Sequence, residues 1–385
     1  MRKAVLYRKL DKERVECVAC ARRCKLSPGQ VGFCGIRGNY NGDLYLLSYG
    51  ILIAINVDPI EKKPLTHFHP GSKVLSIATT GCNWACAYCQ NYDISQRRHI
   101  EGFELEPEEV VKIALETGSD GITYTYNEPT IFMEYAHDVG VIARKKGLFN
   151  TFVTNGYMTD EAVDYLSEFL DAATVDIKGN ADNNFARKFI QIINYEPVFE
   201  TLKELKRKKI FIEITDLVIP KVGDDLDKAR KLARWIVENL GPETPVHFLR
   251  FHPDYKMLDY PPTPVKTLEQ HVKIAREEGL KYVYVGNVPG HPLENTYCPN
   301  CGRPVIVRYG FEILEWHLDQ ENRCRYCGYK INIVGTLKRN YNPYRSRFIF
   351  VPVRDKKYVS IDPSELVREG LRSKISLENI DKGVI

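Results

Sequence analysis

From residue 74 onward, short β-rich apolar runs alternate with segments whose apolar residues recur at helical spacing. The runs are VLSIATTG (74–81), GITYTYN (121–127), FNTFVTNG (149–156), AATVDIKG (172–179), IFIEITDLVIP (210–220), VHFLRFHP (246–253) and YVYVGN (282–287). Between them, PEEVVKIALETG (107–118) opens on proline and acids and closes on glycine, the start and stop signals of a helix. TDEAVDYLSEFL (159–170) offers Thr159 as an N-cap, and LDKARKLARWIVENLG (226–241) stops at a glycine. Seven such alternations predict parallel strands joined by crossover helices, hence an α/β chain with a TIM-like (β/α) barrel, complete or partial. A flavodoxin-like open sheet is the competing architecture, but it seldom needs so many polar strand ends. In a barrel the active site gathers at the C-terminal strand ends. Those ends are the Cys82 loop, Asn127 with Glu128, Asn155 with Gly156, Asp176 with Lys178, and His252.

No 20–50-residue repeat accompanies this alternation. At 385 residues the chain has room for one large domain and smaller attachments. The expected division is an N-terminal cysteine-containing region (1–73), the barrel (74–295), a second cysteine module (296–336) and an extension (337–385) with no assigned function. The charged N-terminus MRKAVLYRKLDKERVE lacks a signal-peptide pattern, and YLLSYGILIAINV is too short and interrupted to span a bilayer. The expectation is a cytoplasmic protein with no membrane partner. A formal charge of +4 gives no strong push toward nucleic acid, and LKRKKI (205–210) reads as a solvated helix face.

The eleven cysteines change the picture, because they fall into groups of four, three and four. In a reducing compartment such clustering favours metal ligation over disulfides. Cys82, Cys86 and Cys89 form C-x3-C-x2-C within TTGCNWACAYCQN. A structural zinc wants four ligands, whereas three thiolates hold three corners of a [4Fe–4S] cube and leave one iron open. The bland alternative is three cysteines serving as small apolar residues. CPNCG and CRYCG place Cys298, Cys301, Cys324 and Cys327 in a zinc-ribbon pattern, with a rubredoxin-type iron as the alternative. Cys17, Cys20, Cys24 and Cys34 fit structural zinc or an auxiliary iron–sulfur cluster, since spacing fixes neither geometry nor metal. His67 and His69, between prolines, read as loop residues near the active-site mouth rather than ligands.

The loop after the first strand resembles that of radical S-adenosylmethionine (SAM) enzymes. More narrowly, PIEKKPLTHFHPG, GCNWACAYCQNYDISQ, YTYNEPTIFMEY, VTNGYM, VDIKG and VYVGNVPGHPLENTYCPNCG resemble the AmmeMemoRadiSam system enzymes, relatives of the pyruvate formate-lyase activating enzymes. The resemblance runs from about residue 15 to about residue 335. It implies a [4Fe–4S] cluster on Cys82, Cys86 and Cys89 as the catalytic centre, with SAM on the open iron. It also implies oxygen sensitivity, reductive cleavage of SAM to a 5′-deoxyadenosyl radical, and hydrogen abstraction from an unidentified substrate, a protein residue among the candidates. An electron donor such as flavodoxin or ferredoxin, and proteins of the AMMECR and Memo families, are the implied partners. Tyr88 sits where relatives carry an aromatic against adenine, or a ring that only shields the cluster. Relatives hold the SAM amino group with Gly-Gly-Glu; here Tyr126, Asn127 and Glu128 occupy that stretch, both glycines are replaced, and a helix-start role for Glu128 competes. Asn155, Asp176 and Lys178 match positions near the methionine carboxylate or ribose, and His252 matches a SAM-contacting histidine. Two other readings stand beside this one: a glycyl-radical enzyme activase, and a zinc-ribbon nucleic-acid-binding or tRNA-modifying protein.

Overall fold

A computed structural model describes residues 1–353 and 355–368 of the 385. Seven strands, β1 (Lys73–Ala78), β2 (Gly121–Tyr124), β3 (Phe149–Thr154), β4 (Ala172–Lys178), β5 (Phe211–Val218), β6 (Val246–Arg250) and β7 (Val283–Gly286), pair in chain order. Every neighbouring pair is parallel. One longer helix fills each crossover: α1 (Pro107–Glu116), α2 (Met133–Lys145), α3 (Asp160–Leu166), α4 (Glu196–Arg207), α5 (Leu226–Asn239) and α6 (Val265–Glu277). Strictly sequential order is that of a barrel and excludes the flavodoxin-like arrangement, whose order reverses at a switch point.

The sequence signals account for these elements. Strands buried on both faces read as near-continuous apolar runs, and all four residues of β2 are buried. Helix α1 begins with Pro107 behind a capping box made by Glu106 and Glu109. Thr159 caps α3, its hydroxyl accepting from the Ala162 amide at 3.2 Å. Asp225 caps α5 by accepting from Asp227 and Lys228 at 2.9 and 3.2 Å.

Among the described residues the sheet stays open at β7. Its other edge extends beyond β1 through two antiparallel strands, Ala54–Pro59 and then Ile349–Phe350. The first comes from the region expected to stop at residue 73, and begins within YLLSYGILIAINV. The second comes from the C-terminal extension, which also lays Tyr358–Ile361 against Ile100–Glu104. The remainder of the extension, 369–385, lies outside the described residues.

A buried ion pair fastens the N-terminal region to the barrel. Arg37 and Glu134, on α2, are each 2% exposed and meet through both guanidinium branches, one at 3.0 Å. Arg37 Nε also donates to the Ile131 carbonyl at 2.8 Å.

His67 and His69 do not stand at the barrel mouth, as their sequence context suggested. They sit under the floor, where Ile60, Leu65 and Phe68 pack against the first residues of the strands, including Phe149, Ala172 and Phe211. The chain here is irregular, and His67 turns inward together with Leu65 and Phe68. It is fully buried, with Nδ1 at 2.7 Å from the Asn332 carbonyl and Nε2 at 2.5 Å from the Tyr284 hydroxyl. His69 stacks on Phe149. The module of Thr296–Tyr297, Pro304–Tyr309 and Glu312–Trp316 seats beside this floor, with Val334 bonded to His67 and His69 through the backbone at 2.9 and 2.8 Å. No helix of the described residues is long and apolar enough to cross a membrane.

Candidate active site

Residues 79–91 cross the C-terminal ends of the strands and are held from four sides. The Asn127 side-chain amide donates to the carbonyls of Thr79 and Gly81 at 2.7 and 2.9 Å. The Gly81 amide donates to Ile94, and the amides of Ala85 and Ala87 donate to Ile190 and Phe189 at 3.0 and 2.8 Å. The Lys256 amide donates to the Ala87 carbonyl at 2.9 Å. A loop pinned this way presents its thiols from a fixed frame. The Cys82 sulfur accepts from the Trp84 amide at 3.4 Å, and the Cys89 sulfur lies 3.0 Å from the Ser95 hydroxyl. Burial pushes all three thiols up, Cys86 to about 12.

All three thiols line one cavity of about 550 Å³. The same cavity is lined by Tyr88, Asn127, Glu128, Asn155, Asp176, Lys178 and His252, so the structure brings every sequence-predicted cofactor residue to one place. The Tyr88 ring is buried and stacked on Phe185, with centroids 5.9 Å apart. Glu128 is buried and its carboxylate is filled from within the protein: Oε1 accepts from the Thr130 amide and hydroxyl and from the Thr154 hydroxyl, and Oε2 from the Asn155 amide at 2.7 Å. It therefore caps the short turn Pro129–Phe132 as well as lining the cavity. Burial still pushes its carboxyl above the usual range. Asn155 continues the chain of contacts by donating to the Asn83 side chain at 2.7 Å. Asp176 and Lys178, two apart on β4 and so on one face, form an ion pair at 3.0 Å. His252 is exposed at the rim.

Whether this loop suits a cluster can be judged from its polar atoms. Buried polar groups are normally paired. Among the described residues twelve buried side-chain polar atoms have no hydrogen-bond partner, and six belong to Thr79, Thr80, Asn83, Trp84, Tyr88 and Asn127. Their concentration on the three-thiol loop and its anchor fits a polar, sulfur-rich group seated there. The donor set, three thiols and no fourth protein ligand, fits an iron–sulfur cube with one open corner.

Sequence reasoning missed the far wall. His247 Nε2 lies 2.7 Å from Glu213, whose other oxygen accepts from the His67 amide at 2.7 Å. These contacts outweigh burial and hold the Glu213 carboxyl below its usual range. The alternation of His247, Leu249 and Phe251 along β6 was a readable signal, since all three face the cavity. Arg308, from the C-terminal module, had none. It reaches in to donate to the Thr66 carbonyl at 3.1 Å and the Thr296 hydroxyl at 2.7 Å. Near β1, Lys63 and Asp58 pair at 2.7 Å and the Tyr126 hydroxyl donates to Asp58 at 2.6 Å. A second cavity, about 520 Å³, lies by the strand starts among Phe68, His69, Phe149 and Phe211, away from any thiol.

The other cysteine groups form separate sites. Cys298, Cys301, Cys324 and Cys327 have sulfurs all within 4.8 Å of one another, with Cys298–Cys327 at 3.6 Å and Cys301–Cys324 at 3.8 Å. Tetrahedral bonds of about 2.3 Å put sulfurs about 3.8 Å apart, so this set could bind a single metal ion. Cys17, Cys20, Cys24 and Cys34 line a small cavity of their own.

Residues 76–235 match the family described as "Radical SAM superfamily". The chain is 49% identical over 337 residues to the uncharacterized protein MJ0808 of Methanocaldococcus jannaschii, covering 87% of this chain and 100% of that one. It is 23% identical to the putative glycyl-radical enzyme activating enzyme MJ1632 of the same organism, over 45% of this chain and 66% of that one. It is 24% identical to the cysteine-type anaerobic sulfatase-maturating enzyme of Clostridium perfringens, over 42% of this chain and 48% of that one. That superfamily implies a [4Fe–4S] cluster, SAM and a reductant of the flavodoxin or ferredoxin kind. With its three-thiol loop at the C-terminal ends of a sequential parallel barrel, the chain belongs to the radical SAM superfamily of enzymes.

Proposed function

We propose that this enzyme uses Cys82, Cys86 and Cys89 to hold a [4Fe–4S] cluster and acts on a residue of a partner protein. The observation that carries the first half is the convergence of the three thiols with Tyr88, Asn155, Asp176, Lys178 and His252 on one cavity. When bound, the cluster and SAM supply one-electron cleavage of a sulfur–carbon bond and a hydrogen-abstracting radical.

The chain's own residues do the rest. Asn127 fixes the loop's entry by binding the carbonyls of Thr79 and Gly81. Glu128, which accepts four hydrogen bonds from within the protein, positions Asn155 by accepting from its amide. Lys178, paired with Asp176, offers a cation to a carboxylate and Asp176 an acceptor to a ribose hydroxyl. Tyr88 and Phe185 form an apolar wall that keeps water from the loop. Structural zinc at Cys298, Cys301, Cys324 and Cys327 holds the module that delivers Arg308, and a cytoplasmic setting keeps the thiols reduced.

The protein substrate is supported by two relatives whose names describe activation or maturation of another enzyme. AMMECR- and Memo-family proteins are the candidate partners, from the resemblance of the motifs. Incubating the reduced, SAM-loaded enzyme with each candidate, then following 5′-deoxyadenosine, partner mass and paramagnetic resonance, tests this. Partner-dependent turnover with a mass change or a protein radical supports it; SAM turnover indifferent to every protein transfers the reading to a small-molecule substrate.

A further inference from the structure

Arg308 lies on the wall of the cavity of about 550 Å³ and is 4% exposed. Burying a guanidinium is costly unless an anion takes up its charge. Among the described residues it forms no ion pair. Its contacts are neutral oxygens: the Glu294 carbonyl at 3.2 Å, the Thr296 hydroxyl at 2.7 Å and the Thr66 carbonyl at 3.1 Å. A guanidinium carries more donors than these three contacts use, and Nε is buried without a hydrogen-bond partner.

The neighbouring carboxylates are committed elsewhere. Glu213 is engaged by His247 at 2.7 Å, the Thr66 hydroxyl at 2.9 Å and the His67 amide at 2.7 Å. The Glu294 carboxylate accepts from the amides of Gly290 and Gly310 at 2.7 and 3.2 Å. The Tyr284 ring, 6.0 Å from the guanidinium carbon, offers a π face rather than a charge. Tyr284 stands near the start of β7, whereas the thiol loop crosses the opposite ends of the strands. Lys178, at the end of β4, is the cation assigned to SAM above, which leaves Arg308 for a second ligand.

We propose that Arg308 binds a carboxylate of the substrate and so anchors it at the end of the cavity away from the thiols. The planar fork of the guanidinium matches a carboxylate. A single positive charge beside Glu213 and Glu294 favours a monoanion over a phosphate dianion. The proposal rests on the function proposed above, which makes this the carboxylate of an acidic side chain or of a chain end.

The full chain, reconstituted with iron and sulfide and left unreduced, is titrated at matched ionic strength while Tm is followed. The probes are N-acetylglutamate amide, an acetylated dipeptide with a free C-terminal carboxylate, and propionate, each beside its carboxamide counterpart. One of the two peptide carboxylates is expected to bind about tenfold or more tightly than its carboxamide. That difference persists in saturating SAM, is lost in Arg308→Gln and is partly kept in Arg308→Lys, which retains the charge without the fork. Equal binding of acid and amide, loss of the response in SAM, or tighter binding of inorganic phosphate would overturn the assignment. Those three comparisons need no variant, so they decide even where circular dichroism shows Arg308→Gln unfolded. A folded Arg308→Gln that keeps the full response would also overturn it. A response to propionate but to neither peptide keeps the carboxylate site and overturns the protein-substrate reading instead.

Discussion

Gly81 is the residue on which two parts of the molecule meet. Its φ of +88° and the Cys34 carbonyl both forbid a side chain. Gly81→Ala is expected to lower stability by about 3 kcal/mol from backbone strain alone, read as a fall in Tm, and to reduce iron loading. Asp216 offers a prediction in pH. Burial pushes its carboxyl up to about 7, despite acceptance from the Asn180 amide at 3.1 Å. A carboxyl raised on folding binds its proton more tightly in the native state, so stability falls as pH rises from about 4 to about 7 and then levels. The size is up to about 4 kcal/mol at about 1.4 kcal/mol per pH unit. Asp216→Asn, which stays neutral, should remove that slope in denaturant melts; an unchanged slope would show that another group sets it. At this scale the sequence was legible wherever a residue's role is local. The thiol spacing, Thr159 and the same-facing Asp176 and Lys178 needed only chain periodicity. Arg308 and the burial of His67 depend on segments hundreds of residues away, and no local pattern encodes them.

Among elements, the crossover helices and seven strands followed from periodicity because each is an amphipathic or fully buried run. Ala54–Pro59 was harder: it pairs antiparallel to β1, and only a single 3-10 turn, Ile60–Lys62, follows it where a β/α unit would place a longer helix. The Arg37–Glu134 pair tests how firmly the N-terminal elements are fixed to α2. Removing one partner of a buried pair strands the other charge, so Arg37→Ala should cost about 3–5 kcal/mol. Replacing both by apolar residues of similar volume should recover much of that loss, a result measurable by a double-mutant cycle in urea. Equal losses in single and double variants would mean that packing, rather than charge, dominates here.

Across the molecule, the cavity is closed by parts distant in sequence: the thiol loop above, β4 and β6 at the sides, and Arg308 from the C-terminal module. Removing the metal proposed for Cys298, Cys301, Cys324 and Cys327 should therefore reach the barrel. A chelator that removes one metal per chain is expected to lower Tm and to increase amide exchange in both residues 296–336 and the His67 segment they bond to. Exchange confined to the module would show that it is an independent attachment. SAM cleavage shows whether residues 79–91 form a catalytic loop. The enzyme is reconstituted with iron and sulfide without oxygen, reduced with dithionite, given SAM, and assayed for 5′-deoxyadenosine beside Cys86→Ala. Product is expected from the unmodified enzyme and none from the variant. Equal product from both, or none from an unmodified enzyme carrying its full loop cluster, would contradict it.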